Sequence, residues 1–420
     1  MAIETGLEVL LRERPETIRG KHVGLLTNYA CVTAELEYSI DLILGSGCRH
    51  VTVFAPEHGF WSDVQYMDEI NRERWREGAA VTVIKSYDGA NPTLFSPDPK
   101  AMAQLDVLIV EVQDVGARCY TYITTMVKAM GVAAELGVPV IVADRPNPID
   151  GIHIEGNVNY HEPYISYVMH SPVPMRHAMT AAELARFTND VLGLGCELDV
   201  VPMRGWHRAM HWNETGLPWI SPSPNIATYE SSLVYPGTVF LEGTNLSEGR
   251  GTTHPFELVG APWLDSFELA DRLNDLRLPG VKFRPQPFTP MFSKHSKQAH
   301  AHESQDAAAQ CGGVFIHVTD ANAFRPVRMG LMLIKVARDL APERFAWRRT
   351  NYEFAHCMAI DALVATSKYQ VLVDNEDLGA VADWLQTWEA DEAKFAETRK
   401  PYLIAAYDEE RANVVRLAEA

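Results

Sequence analysis

The chain has 420 residues, 47% apolar and 22% charged, an ordinary globular composition that excludes a disordered, collagen-like or low-complexity chain. At roughly 150 residues per domain, this length predicts two or three domains and a sizeable core. Fifty-five acidic against 37 basic residues give a net charge of −18, which repels phosphate backbones, so neither nucleic acid nor an anionic membrane is expected as a partner.

The first residues contain no basic stretch followed by an apolar run and a small-residue cleavage site. No apolar run approaches the ~18 residues of a membrane span, and a soluble cytoplasmic protein is expected. Val- and Ile-rich runs then recur at residues 23–27, 51–55, 80–84, 106–112 and 138–143. They are nearly continuous rather than alternating, the pattern of strands buried on both faces of a parallel sheet. Amphipathic helices are predicted between them over 33–44 and 122–136. Thr180 and Glu183 form a capping box opening a helix over 181–192. This alternation predicts a doubly wound α/β domain. Residues 202–264 are dense in Trp, Pro, Gly and Asn and predict long ordered loops instead of regular elements. A second unit follows, with a helix over 266–276, a strand over 313–319, a helix over 327–340, and helices from Asp377 to Tyr402 before a charged tail. The boundary falls near residue 230, giving domains 1–230 and 231–420.

In open parallel sheets, ligands bind beyond the carboxyl ends of the strands. The residues there are Asn28, Glu57-His58-Gly59, Ser86-Tyr87, Gln113-Asp114 and Asp144-Arg145. Every strand delivers a polar or ionisable side chain to one edge, which predicts a polar cleft; capping and turn formation are the competing uses of such residues. Glu57 follows a strand of Val and Phe, where an apolar wall favours the protonated carboxyl that a general acid requires. Its competing role is to cap a following helix. At residues 113–122, Gly116 permits a tight turn, while Arg118 and Tyr120 offer a forked cation and an aromatic hydroxyl. Pro146 and Pro148 hold Asn147 rigidly. Residues 242–252, rich in Gly and polar groups, form either a ligand loop or a surface strip.

No GxGxxG follows the first strand, and neither GxxxxGK[ST] nor GxSxG occurs. The six cysteines, Cys31, Cys48, Cys119, Cys196, Cys311 and Cys357, lie far apart without zinc spacing and are expected as buried reduced thiols. His295, His300 and His302, near Lys294 and Lys297, lack a carboxylate or Cys to complete a ligand set. Neither metal nor cofactor is expected.

The segments GLLTN (24–28), FAPEHGF (54–60), EVQDVGARCYTYI (111–123), DRPNP (144–148), PMRHAMTAAELA (174–185), SPN (223–225), YPGTVFLEGTNLSEGRGTTHPFELVGAPW (235–263) and the closing residues 399–402 together resemble the NamZ family of exo-β-N-acetylmuramidases, long known as a domain of unknown function. The resemblance implies a Rossmann-like N-terminal domain, a smaller C-terminal α/β domain and an active cleft between them. It implies release of N-acetylmuramic acid (MurNAc) from the non-reducing ends of peptidoglycan fragments, with Glu57 as the catalytic acid. Ala55 and Cys119 stand where FGPEHG and RFYTYI are usual, both small local changes. Many relatives carry an export signal; without one, recycling of imported muropeptides is expected.

MurNAc carries a lactyl carboxylate, so an acidic enzyme needs a local arginine. Arg118, Arg145, Arg176 and Arg250 all fall within the motifs. Asn28, His58, Gln113, Tyr122, Asn147, His177, Asn225, Glu242 and Asn245 are the further expected binding residues. Glycoside cleavage usually employs two carboxyl groups. The partner of Glu57 is Asp114, Glu242 or Glu248, unless the substrate's own 2-acetamido group attacks with Tyr120 orienting it.

Overall fold

The near-continuous apolar runs become the centre of one sheet. A computed structural model describes residues 2–65, 75–86, 96–297, 310–349, 352 and 355–408; Tyr87, His300 and His302 lie outside them. The strands are β1 (His22–Leu26), β2 (His50–Ala55), β3 (Val81–Lys85), β4 (Val107–Val110), β5 (Val140–Ala143) and β6 (Leu198–Val201). They run in the order β3-β2-β1-β4-β5-β6 and all pair in parallel. β4 and β5 are buried along their whole length, which explains their unbroken apolar sequence. The strand order reverses between β1 and β4, and ligand crevices form at such a switch point. β6 escapes sequence reading because it is a short edge strand that alternates in burial.

Helices α1 (Gly6–Glu13), α2 (Ser39–Gly45), α3 (Pro99–Met102), α4 (Thr121–Leu136) and α5 (Ala181–Val191) belong to this sheet. α5 opens on the expected Thr180–Glu183 capping box. The helix expected over 33–44 forms only in its second half. Thr33 Oγ1 accepts the backbone N–H groups of Glu35 and Glu37, both at 3.2 Å, and this local turn competes with a helix. Leu36 then adopts φ +65°.

The stretch 202–264 is also more regular than expected. Within it lie α6 (Tyr229–Thr238), a 3-10 turn (Val239–Gly243) and β7 (Leu258–Ala261). α6 is buried on nearly every side, so its sequence carries no amphipathic stripe, and Pro236 disguises it further. It crosses α8 (Pro326–Leu340) so closely that a Cβ on Gly237 would meet Pro326 O at 1.9 Å. α7 (Ser266–Asp275), β8 (Val281–Pro285) and β9 (Gly312–Val318) complete a three-stranded antiparallel sheet in the order β7-β9-β8. α9 (Ala359–Val364), α10 (Lys368–Asn375), α11 (Leu378–Gln386) and α12 (Glu389–Arg399) follow.

Buried polar ties join the two sheets' units. Glu155 accepts the N–H groups of Val327 and Arg328 at 3.0 and 2.6 Å and so caps α8, which has no side-chain cap of its own. Arg118 donates to Leu363 O at 2.7 Å, and Asn157 Nδ2 to Val364 O at 2.9 Å. The end of the chain returns to the parallel sheet: Tyr407 OH donates to Asp144 Oδ2 at 2.6 Å, and Ile404 N to Glu183 Oε1 at 2.8 Å.

Burial pushes the Asp144 carboxyl up to about 7, against the hydrogen bonds from Tyr407, Thr180 and Ala182. A carboxyl whose value rises on folding favours the fold while protonated. Its contribution is full below about pH 4 and is lost as pH rises through about 7. The Asp144→Asn variant is expected to show a flatter dependence of Tm on pH across that window by calorimetry.

Candidate active site

β2 ends at Ala55, and the chain turns at once. Gly59 N–H donates to Pro56 O at 3.1 Å, with His58 at φ +70° and Gly59 at φ +79°. This turn leaves Glu57 at the rim of the sheet, 5% exposed. Thr121 Oγ1 donates to Glu57 Oε2 at 2.6 Å, and no cation among the described residues pairs with this carboxyl. His58 Nδ1 lies 2.8 Å from Val64 O; a carbonyl can only accept, so Nδ1 carries the hydrogen of this contact.

Glu57 and His58 form one side of an open cleft. Tyr120 and Thr121 reach it from the start of α4, and Ser223, Asn225 and Ile226 from the loop before α6. Tyr235, Glu242, Arg250, Phe256 and Tyr352 close it from the second unit. The Tyr120 ring lies 4.7 Å from that of Tyr122 and 6.0 Å from that of Tyr235. Burial holds the Tyr120 phenol well above its usual value, so it remains a donor, and its hydroxyl lies beside Ser223 and Tyr122 at the cleft wall.

Behind the cleft runs a chain of buried charges. Glu242 accepts Arg250 Nη2 on Oε1 at 2.6 Å and Tyr352 OH on Oε2 at 2.8 Å. Arg250 Nη1 reaches Glu248 Oε1 at 3.0 Å. Lys294 Nζ donates to Glu248 Oε2, Leu241 O and Leu246 O at 2.9, 2.8 and 2.9 Å, which satisfies all three ammonium hydrogens. Burial alone would raise the Glu248 carboxyl, but Lys294 and Arg250 overcome it and hold the group down to about 2.

Of the expected site residues, Glu57, His58, Tyr120, Asn225, Glu242 and Arg250 line the cleft. The others turn away from it. Asn28 Nδ2 donates to Tyr122 OH and to Pro222 O at 3.3 and 3.0 Å, and Tyr122 OH donates to the same carbonyl, so the pair seats the 221–223 loop. Asp114 Oδ2 accepts Gly116 N–H at 2.8 Å and lies 3.5 Å from His177 Nε2, while Met179 N–H donates to His177 Nδ1 at 3.2 Å. Gln113 Oε1 accepts Arg145 Nε at 3.0 Å, and Arg145 Nη1 pairs with Glu111 at 2.9 Å. Asn147 donates to Met179 O at 3.1 Å, and Asn245 to Arg344 O at 2.8 Å. Arg176 pairs with Asp150 at 2.8 Å.

Among the described residues Arg118 donates only to carbonyls, those of Asn157, Val173 and Leu363, and burial lowers it to about 10. Three of the four motif arginines are therefore internal clamps, leaving Arg250 at the cleft. Asp114 and Glu248, named as possible catalytic partners, stand behind the lining, whereas Glu242 is part of it. Sequence reasoning missed Thr121 as a cleft residue, although it sits inside a motif that was singled out. It also missed Val168, Ile226, Phe256 and Tyr352, which no polar pattern marks. His295 Nε2 contacts Asn245 O at 2.8 Å, and no group of three or more metal-ligating side chains occurs among the described residues. Nor is any helix among them long and apolar enough to cross a membrane.

Comparison with known proteins gives two adjoining family matches. Residues 23–230 match the family described as exo-beta-N-acetylmuramidase NamZ, N-terminal, and residues 233–404 its C-terminal counterpart. The chain is 40% identical over 403 residues to the peptidoglycan beta-N-acetylmuramidase NamZ of Bacillus subtilis strain 168, covering 96% of this chain and 91% of that one. A crystal structure of a DUF1343 family protein from Bacteroides fragilis superposes with TM-score 0.81 at 32% identity, covering 96% of this chain and 99% of that one. A second from the same organism, at 24% identity and TM-score 0.69 over the same shares, shares the fold.

Proposed function

Because the chain belongs to the NamZ family of exo-β-N-acetylmuramidases, we propose a mechanism centred on Glu57. The protein is a glycoside hydrolase that acts on peptidoglycan-derived saccharides and releases terminal N-acetylmuramic acid. Residues 1–230 form the domain that carries the acid, and residues 231–420 complete the cleft. The observation that carries this reading is a buried carboxyl at the sheet's rim, lining the cleft with one donor on Oε2 and, among the described residues, no ion pair. Glu57 delivers its proton to the glycosidic oxygen as the C1–O bond breaks.

Glu242 is the facing carboxylate. With Arg250 and Tyr352 on its two oxygens, it is a weak nucleophile but a fixed negative charge near the oxocarbenium-like centre. The nucleophile is then the substrate's own 2-acetamido oxygen, which bonds to C1 as the leaving sugar departs. The Tyr120 hydroxyl, a donor on the cleft wall, holds that group. Water next attacks C1 with loss of its proton to the Glu57 carboxylate, reopening the ring and retaining configuration. The finer identity of the substrate, MurNAc saccharides or muropeptides, belongs to the same proposal. So does work in the cytoplasm on imported fragments.

Release of MurNAc from MurNAc–GlcNAc and from para-nitrophenyl MurNAc tests the activity; no release from either contradicts it. Rates on aryl glycosides with N-acetyl, fluoroacetyl and trifluoroacetyl groups test the nucleophile. A steep fall with each fluorine is expected, and a flat series would return the role to Glu242. Glu242→Gln is expected to cost about 10²-fold in kcat, the loss of one preorganised charge.

A further inference from the structure

Thr121 is the first residue of the sixteen-residue α4, and its hydroxyl serves another segment. It donates to Glu57 Oε2 at 2.6 Å, across a junction where Glu57 is 5% and Thr121 7% exposed. Its placement is rigid. Thr125 Oγ1 donates back to Thr121 O at 3.0 Å and meets Tyr167 OH at 2.9 Å, while Thr124 Oγ1 donates to Tyr167 O at 2.8 Å. The branched Thr side chain adds few rotamers of its own.

A threonine hydroxyl has one hydrogen. Spent on Oε2, it leaves Oε1 as the oxygen on which the carboxyl's own proton sits. We propose that Thr121 is a positioning residue that fixes the Glu57 rotamer and selects Oε1 as the atom delivering the proton. This inference rests on Glu57 being the general acid. Once the proton has moved, the same hydroxyl faces a carboxylate, and a hydrogen bond to a charged acceptor is the stronger one. The interaction therefore strengthens toward the transition state, where it raises kcat rather than lowering KM.

Steady-state kinetics of Thr121→Val, Thr121→Ser and Glu57→Gln on MurNAc–GlcNAc and on a dinitrophenyl MurNAc glycoside separate the possibilities. The dinitrophenolate leaves without protonation. Thr121→Val is expected to lose roughly tenfold to a hundredfold in kcat on the disaccharide, as for a lost charge-assisted hydrogen bond. Its KM stays within about twofold, and on the activated glycoside, where kcat/KM reports bond cleavage without protonation, the deficit in kcat/KM shrinks to nothing. Thr121→Ser keeps the donor and restores the rate. Thr121→Val at wild-type rate on the disaccharide, or equally slow on both substrates, overturns the inference even if Glu57→Gln shows the leaving-group dependence of a lost acid. If Glu57→Gln lacks that dependence, the reading of Glu57 falls, and this inference with it.

Discussion

Glu57→Gln is expected to lower kcat for MurNAc release from the disaccharide by at least about 10²-fold, within the 10²–10⁴ range of a lost general acid. Gln occupies the same volume and can still accept the Thr121 hydroxyl on its amide oxygen, so the loss is one of chemistry rather than folding. KM is expected to change little, because the missing interaction belongs to the transition state. The protein should therefore still bind saccharide in calorimetry while failing to turn it over. A variant that neither binds nor folds would leave its kinetics without meaning, so Tm and binding are measured beside kcat.

The second large effect concerns the buried charges behind the cleft. Lys294→Met removes the ammonium paired with Glu248 Oε2 at 2.9 Å and leaves that carboxylate dependent on Arg250 alone. Breaking one side of a buried pair typically costs about 3–5 kcal/mol. Denaturant unfolding should show this as a fall in midpoint. The loss should also reach the cleft, since Arg250 holds Glu242 as well, so the surviving activity should be low. Adding Glu248→Gln to Lys294→Met should recover part of the stability, because the penalty lies in the unpaired charge. The wild-type tetrad also predicts acid sensitivity. Glu248 is held down to about 2 from its usual 4.5. A group lowered in this way contributes stability above about pH 4.5 and loses it as pH falls through about 2. The single variant should lose less on acidification than the parent does.

Both predictions depend on residues whose positions differed in how readily the sequence disclosed them. β1, β2, β4 and β5 were legible because strands buried on both faces have no polar alternation to hide them. The place of Glu57 at the cleft was legible because Pro56 and Gly59 bracket it directly after such a strand. α6 was not, because full burial erases helical periodicity. Half of the helix expected from residue 33 was lost to one threonine hydroxyl, a local competitor that periodicity does not weigh.

Glu242 and Glu248 look alike in sequence. They are separated only by distant partners, Tyr352 for the first and Lys294 for the second. The arginines teach the same lesson. Arg118 turns to Leu363 O and Arg176 to Asp150, and no local pattern tells a guanidinium aimed at a ligand from one that binds carbonyls. Thr121 was concealed differently, as an ordinary residue at a helix start whose partner lies on another strand's turn.

The central claim, that Glu57 hands its proton to the bond being broken, is tested most directly by a crystal structure of the Glu57→Gln variant with MurNAc–GlcNAc bound. The account predicts the glycosidic oxygen within ~3.2 Å of the side chain at position 57, the reach of a proton donor, with the acetamido group turned toward Tyr120. A saccharide whose glycosidic oxygen faces Glu242 instead, with position 57 out of reach, would contradict it.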